Sequence, residues 1–166
     1  MTEHEAGPTR RRASLIVLAA LLSVLLVAAK IAADQLLPGR IIEVGLIQLR
    51  LLYNPGVAFG LGADLPTWTR LAVPAAITVG IGVYGWRRSA AAAGRIELGC
   101  LTVMLAGALA NVIDRLPDGV VTDYLHTGWW PTFNLPDTFI VVGALVFAFT
   151  ARRSDSPDRA EAERRD

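Results

Sequence analysis

The chain is poor in the residues on which many catalytic sites depend. Its 166 residues include one cysteine, Cys100, and two histidines, His4 and His126. A single cysteine excludes an intrachain disulfide, and we interpret Cys100, which lies in an apolar block, as a packing residue. The histidines lack a credible serine partner and are too few for a zinc site. Because a glycine-rich phosphate loop with a lysine and any nucleic-acid motif are also missing, the sequence argues against nucleotide and nucleic-acid binding.

Charge is scarce as well. Charged residues make up 19% of the chain and hydrophobic residues 53%, with a mean hydropathy of +0.44. The apolar residues form long blocks instead of alternating, which indicates a polytopic membrane protein built as one compact unit. We predict four transmembrane helices over residues 14–33, 71–86, 96–113 and 137–151, within a membrane domain of residues 14–151.

The basic residues predict an orientation. Three arginines precede the first block, three separate the second and third, and five follow the fourth, which is eleven of the sixteen basic residues. By the positive-inside rule both termini are then cytoplasmic: residues 1–13, and the charged tail 152–166, which we expect to be disordered. The other five basic residues fall near or in the opposite loops: Lys30, Arg40, Arg50, Arg70 and Arg115.

The first block has a second possible interpretation, a cleaved signal peptide. Its basic start and apolar core fit that class of segment. Lys30 and Asp34 in the small-residue region disfavour cleavage. Removing this block would also leave three spans and place the basic loops on mismatched faces.

Two outer loops follow from this topology, residues 34–70 and 115–136. Residues 41–44 and 46–51 indicate short strands separated by Gly45, and the run from Asn54 to Gly56 indicates a turn. We therefore predict a small extracytoplasmic β-sheet. Trp129 and Trp130 in the second outer loop are expected at the membrane interface.

Eight polar residues gather at the predicted outer face: Asp34, Asn54, Asn111, Asp114, Arg115, Asp123, Asn134 and Asp137. Some have simple explanations, since Asp137 could cap the fourth helix and Arg115 could reach water. Asp123 has no such explanation, because it lies in an apolar, strand-like run and carboxylates are costly near a bilayer. Asp123 and Asp137 are therefore candidates for a pair of carboxyls that shares one proton and hydrolyses a peptide bond through water.

At these residues the sequence resembles the lipoprotein signal peptidases (signal peptidase II). The likeness covers about residues 14–150 and rests on five blocks that occur in the family's order. They are Asp34-Gln35 and residues 54–60 (NPGVAFG), 107–115 (GALANVIDR), 119–124 (GVVTDY) and 133–138 (FNLPDT). Each block alone is weak evidence, whereas five in order with a matching topology are specific.

The resemblance implies an all-α membrane protein with four transmembrane helices and a small extracytoplasmic sheet. Its members remove the signal peptide from prolipoproteins that carry diacylglycerol, cutting before the lipidated cysteine, and are inhibited by globomycin. Carried over by motif, the catalytic dyad is Asp123 and Asp137. The pocket residues are Asn54, Gly56, Asn111, Arg115 and Asn134, with Asp34 and Asp114 in support. The family uses no metal or cofactor.

The resemblance also implies a location and partners. We expect a multi-pass protein of the bacterial cytoplasmic (inner) membrane, with the active site at its outer face. Lipid-modified prolipoproteins and membrane lipid are the expected partners, and a monomer is the expected state.

The chain departs from the family pattern at several positions. Pro38 stands where a lysine is usual four residues after Asp34, and Ala106 and Ala110 stand where glycine is usual. These changes leave open a divergent paralogue that binds lipopeptides or inhibitor without cleaving them. A small transporter is poorly supported, because no inverted repeat is visible and the polar cluster lies at one face.

Overall fold

The computed structural model describes residues 7–56, 65–91 and 93–154. Within them the chain is mostly helical with one small sheet, as predicted. The elements are α1 (Pro8–Leu36), β1 (Ile41–Val44), β2 (Ile47–Asn54), α2 (Thr67–Ala90), α3 (Arg95–Arg115), β3 (Val121–His126) and α4 (Leu135–Ser154). The expectations for residues 57–60 and for the tail beyond Ser154 lie outside the described residues.

In the described part of the chain, three helices are long and apolar enough to cross a membrane: Thr9–Leu36, Arg95–Arg115 and Leu135–Arg152. α2 is as long as these, but it contains Pro74 and carries arginines in its last turn. The fourth crossing, by α2, and the cytoplasmic location of both termini stay predictions.

α3 occupies the centre of the helical bundle and packs against α1, α2 and α4. Ala106 and Ala110 of α3 are fully buried and lie between Leu26 of α1 and Phe139 of α4. Small side chains at such an interface allow two helix backbones to approach closely. The closest approach is at Gly107, where an added Cβ would lie 2.5 Å from the Pro136 carbonyl oxygen. The first turn of α4 is therefore held directly against α3.

The sheet has the order β1-β2-β3, and both pairs of strands are antiparallel. Gly45, at φ 61°, makes the turn between β1 and β2 that the sequence predicts. β2 extends to Asn54, so this residue ends a strand instead of starting a turn, and it pairs with Val121.

The sheet is attached to the helices through the end of α1. Ala33, Leu37 and Tyr124 form a buried apolar cluster between α1 and β3. This cluster fixes the middle of β3 over the end of the helical bundle. Asp123 precedes Tyr124 and is therefore positioned by the same contacts.

Candidate active site

A cavity of about 270 Å³ lies where the sheet meets the helices. Five of the nine residues that the sequence singled out line it: Asn54, Asn111, Arg115, Asp123 and Asp137. The rest of the lining is apolar or hydroxylic: Pro74, Ile77, Thr78, Ala108, Val121, Thr132, Ile140 and Val141. The structure thus brings the two predicted catalytic carboxyls, from β3 and α4, to one cavity.

Asp137 is held by the start of α4. Its backbone N–H donates to Asn134 Oδ1 at 2.9 Å, and its own Oδ2 accepts from the Asn134 N–H at 3.3 Å. Asn134 directly precedes the helix and Asp137 is its third residue, so this reciprocal pair is a capping box. Asp137 therefore takes part in the cap from inside the first turn, whereas Asn134 is the N-cap residue, and Asp137 Oδ1 also accepts from Asn111 Nδ2 at 2.7 Å.

Asp123 accepts hydrogen bonds from two amides. Asn134 Nδ2 lies 2.6 Å from its Oδ1, and Asn54 Nδ2 lies 3.1 Å from its Oδ2. Backbone groups orient both amides, because the Gly56 N–H donates to Asn54 Oδ1 and the Asp137 N–H donates to Asn134 Oδ1, each at 2.9 Å. Neither amide can turn its oxygen toward Asp123 without losing that bond. The site therefore presents two donors to Asp123, which suits a carboxylate that only accepts.

Opposing effects act on the pKa of the Asp123 carboxyl. Burial raises the pKa of this carboxyl to about 6, and the neighbouring charge of Asp137 acts in the same direction. The hydrogen bonds from Asn54 and Asn134 and the positive charge of Lys30 act to lower it. A carboxyl with a pKa near 6 can gain or lose a proton close to neutral pH, which suits general acid–base chemistry.

Arg115 is a buried cation in the cavity wall, with 2% of its surface exposed. The sequence left open that this side chain extends to water, and the structure shows that it does not. Its guanidinium donates to the Gly56 carbonyl oxygen. Arg70 donates to the neighbouring Pro55 carbonyl at 2.8 Å, so two arginines hold the two residues after β2.

Two polar atoms of the cavity wall are buried and have no hydrogen-bond partner among the described residues. They are Asn111 Oδ1 and Arg115 Nε. A buried polar group without a partner is costly, and in a native cavity such groups require an explanation. Asn111 and Arg115 both line the cavity, so its wall contains one acceptor and one donor whose hydrogen-bonding capacity the described residues leave unfilled.

Asp114 supports β3 instead of lining the cavity. Its Oδ2 accepts from the Thr122 N–H at 2.7 Å, and its Oδ1 accepts from the Thr122 hydroxyl at 3.2 Å. Asp34 lies further away, at the exposed end of α1, where it accepts a hydrogen bond from the Tyr53 hydroxyl. That contact raises the pKa of Tyr53. Asp34 is thus the one carboxylate among these residues that the structure leaves apart from the cavity and its supporting contacts.

Sequence reasoning missed Lys30 and Thr132. Thr132 lines the cavity, and its hydroxyl accepts from Arg50 at 3.1 Å. The predicted first span contains Lys30, but the sequence does not show that its side chain is buried: it lies within α1 and is 1% exposed. An ionisable residue inside a membrane helix is by default a functional candidate, and that signal could have identified it.

The fold and the site together define a helical membrane protein in which two carboxyls face one cavity at the end of the bundle. Residues 13–152 match the family model described as Signal peptidase (SPase) II. The chain therefore belongs to the signal peptidase II family, and its enzyme class is that of a peptidase.

Full-length relatives agree with this assignment. The lipoprotein signal peptidase of Aeromonas hydrophila subsp. hydrophila is 36% identical over 164 residues, covering 93% of this chain and 95% of the relative. That of Ectopseudomonas mendocina is 33% identical, covering 86% and 92%. A solved structure described as a bacterial membrane enzyme superposes with a TM-score of 0.72 at 23% identity, covering 87% of this chain and 91% of the other. At that identity the superposition establishes a shared fold.

Proposed function

We propose that this protein is an aspartic endopeptidase that removes the signal peptide from diacylglyceryl-modified prolipoproteins, cutting before the lipidated cysteine. The observation that carries the aspartic mechanism is the convergence of Asp123 and Asp137 on one cavity, connected through Asn134. Family membership and the names of the relatives support the substrate class.

Asp123 is the base in this mechanism and Asp137 the acid. Each carboxyl accepts two hydrogen bonds, but both bonds to Asp123 come from amides whose orientation is fixed by backbone N–H groups, which favours its ionised form. Two carboxyls that face one cavity cannot both ionise easily, so the proton of the pair resides on Asp137. The weaker of the Asp137 contacts, 3.3 Å to Oδ2, leaves that oxygen able to carry it.

The reaction then follows from this proton distribution. Asp123 removes a proton from water as the water oxygen attacks the scissile carbonyl carbon, and Asp137 protonates the carbonyl oxygen. When the tetrahedral intermediate breaks down, the proton held by Asp123 passes to the departing amine of the cysteine. Asp137 recovers its proton from the hydroxyl of the intermediate, which restores the starting state.

The unpartnered atoms of the cavity position the peptide. Arg115 and Asn111 line the cavity and each keeps one buried hydrogen-bonding atom unfilled, so a small side-chain rotation on binding would let Arg115 donate to a substrate carbonyl and Asn111 accept from a substrate N–H. Asn111 also holds Asp137 at 2.7 Å, so substrate binding at Oδ1 is linked to the position of the acid. Donors fixed before the reaction stabilise developing charge without reorganisation.

The apolar wall of the cavity accounts for a substrate that arrives within the membrane. Ile77 of α2 and Val141 of α4 line the cavity and are 56% and 51% exposed, so the wall continues onto the outer surface of the bundle. An apolar segment can therefore enter sideways between α2 and α4. This route fits an enzyme with four transmembrane helices and its site at the outer face of the bacterial cytoplasmic membrane.

A non-cleaving paralogue is not favoured by these features. Its main motivation was Pro38, which lies just beyond the end of α1 and is exposed. Pro38 is not among the described residues that line the cavity. Its presence therefore leaves the carboxyl pair and its oriented amides intact.

The test uses purified protein with a lipidated precursor. Asp123→Asn and Asp137→Asn should each lower the cleavage rate by roughly 1,000-fold or more, since the loss of one member of a catalytic unit removes most of its effect. Asp118→Asn is the matched control, because Asp118 is an exposed carboxylate that does not line the described cavity and accepts from the Val120 N–H at 3.1 Å. Full activity in either dyad variant, or an equal loss in the control, would refute the assignment.

A further inference from the structure

The only lysine of the chain is buried inside a membrane-capable helix. Lys30 lies in α1 and is 1% exposed. An ammonium group in such a place is expensive unless it is paired and hydrogen-bonded. Lysines near the end of a membrane helix can also extend to the interface, and Lys30 instead turns into the bundle. Its partners therefore indicate its role.

Lys30 bonds to α3 and to β3. Its Nζ lies 2.8 Å from Asp114 Oδ2 and 3.0 Å from the Thr122 carbonyl oxygen. Asp114 in turn accepts from the Thr122 backbone N–H and from the Thr122 hydroxyl. Lys30 and Asp114 thus bind both backbone polar groups of the residue that precedes Asp123.

We propose that Lys30 is a positioning residue for Asp123, acting through Asp114 and Thr122. The proposal rests on the proposed aspartic mechanism. Lys30 is absent from the described lining of the cavity, so its route to the reaction is the β3 backbone and its charge. Asp123 must be held within a fraction of an ångström of its working place, and Thr122 is the covalent neighbour through which that place is set.

Stability alone does not explain a buried ion pair at this position. Replacing such a pair with apolar residues is often neutral or stabilising, so its presence is weak evidence for a stabilising role. The location at Thr122 argues for a role in geometry instead.

Charge adds a second effect. The groups that face Asp123 are Asp137 and Asn134 at the start of α4, Asn54 of β2, Asp114 and Arg115 of α3, and Lys30 of α1. Two of these neighbours, Asp137 and Asp114, are acidic like Asp123 itself, and these three carboxyls face two cations, Lys30 and Arg115. The charge of Lys30 lowers the pKa of Asp123, so its removal raises that pKa and favours the protonated, inactive base.

The experiment compares Lys30→Met with Ile31→Met in the purified full-length protein, using a lipidated precursor. Lys30→Met should lower kcat by roughly 10- to 100-fold, as expected for a misplaced catalytic group. KM should change by less than about threefold, because no cavity contact is lost. The acid limb of the pH–rate profile should move to higher pH. Ile31, on the exposed side of the same helix turn, should tolerate methionine with unchanged kinetics.

The double variant Lys30→Met/Asp114→Asn is used if the single variant fails to fold. It removes both charges of the ion pair and so leaves no unpaired buried charge. Its kcat should be no lower than that of the worse single variant, because both changes break one unit. Wild-type kcat in the double variant, or wild-type kcat and pH profile in Lys30→Met, would overturn the positioning role. Asp123→Asn in the same assay separates the two proposals. If Asp123→Asn is inactive while the Lys30 variants behave as wild type, only the positioning role of Lys30 is overturned. If Asp123→Asn is fully active, the proposed aspartic mechanism itself is overturned.

Discussion

Asn134 connects the two carboxyl-bearing segments of the site. Its Nδ2 donates to Asp123 Oδ1 at 2.6 Å, and its Oδ1 accepts from the Asp137 backbone N–H at 2.9 Å. The residue is fully buried. One side chain thus caps α4 and orients the carboxyl of β3, so the start of the helix and the geometry of the site depend on each other.

Substitution of Asn134 should separate these two roles. Serine keeps a capping oxygen for α4 but cannot donate to Asp123 with the same reach, whereas alanine loses both contacts. Asn134→Ser and Asn134→Ala should each lower cleavage by roughly 10- to 100-fold, since Asp123 loses an orienting donor. Asn134→Ala should be less stable than Asn134→Ser by about 1 kcal/mol, the usual value of an N-cap.

The measurements are kcat on a lipidated precursor and thermal unfolding in detergent. The pair of variants is its own control, because both lose the contact with Asp123 and one retains the cap. Wild-type cleavage by Asn134→Ser would show that the 2.6 Å bond does not serve the reaction.

Substitution of Asn54 should shift the pH dependence of cleavage in one direction. Its hydrogen bond lowers the pKa of Asp123, which stands at about 6. Asn54→Ala removes that bond and raises the pKa, so the acid limb of kcat/KM should move to higher pH. Asn54→Asp should move it further, because a second carboxylate would face Asp123 and like charges disfavour ionisation.

The check is a pH–rate profile of each variant with the same precursor. Gln48→Ala serves as the control, since Gln48 lies on the same strand and its side-chain amide donates to Glu43 at 3.4 Å, away from the described cavity lining. A shift to lower pH in Asn54→Ala, or the same shift in Gln48→Ala, would contradict the assignment of this limb to Asp123.

Gly107 sets the distance between α3 and α4. An added Cβ would lie 2.5 Å from the Pro136 carbonyl oxygen and 3.0 Å from Ile140 Cγ1. Because the nearest atom belongs to the backbone, Gly107→Ala must push α4 away and carry Asp137 from Asn111. We expect a loss of stability of about 1–3 kcal/mol, as for other overpacked cores, together with reduced cleavage.

Gly99→Ala on the same helix is the matched control for that change. Beyond its chain neighbours and its own helix backbone, no atom of the described residues lies within 4 Å of its added Cβ, so this variant should gain up to about 1 kcal/mol from the helix preference of alanine. Thermal unfolding and cleavage of both variants provide the comparison. Equal stability of the two variants would mean that α3 and α4 accommodate a methyl group at Gly107, so that the close approach to Pro136 does not require glycine.

The fold was predictable where local sequence determines it. Long apolar blocks predicted the helices, and the boundaries differ by a few residues because flanking polar residues extend each helix. β1 was predicted correctly, whereas β2 was predicted too short: its pairing with β3 draws Asn54 into the sheet. A strand's end depends on its partner, and the sequence of one strand does not specify that partner.

The site was predictable as a set of residues but not as a geometry. Composition and motif order selected Asp123 and Asp137, since carboxyls beside apolar spans are too costly to be incidental. Lys30 was misjudged because a helix position alone does not say whether a charge faces lipid, water or another helix. Asp34 shows the converse, since it shares the expected depth but faces Tyr53 outside the cavity.

The sequence by itself determined that the chain enters a membrane, that it carries a small sheet and that carboxyls and amides cluster along it. These properties follow from the length and composition of local segments. Only the tertiary structure decided that Asn134 joins Asp123 to Asp137 and that Lys30 reaches Thr122. Those contacts depend on how each helix is rotated and how closely α3 approaches α4. Packing of distant segments sets both, so no single segment encodes them.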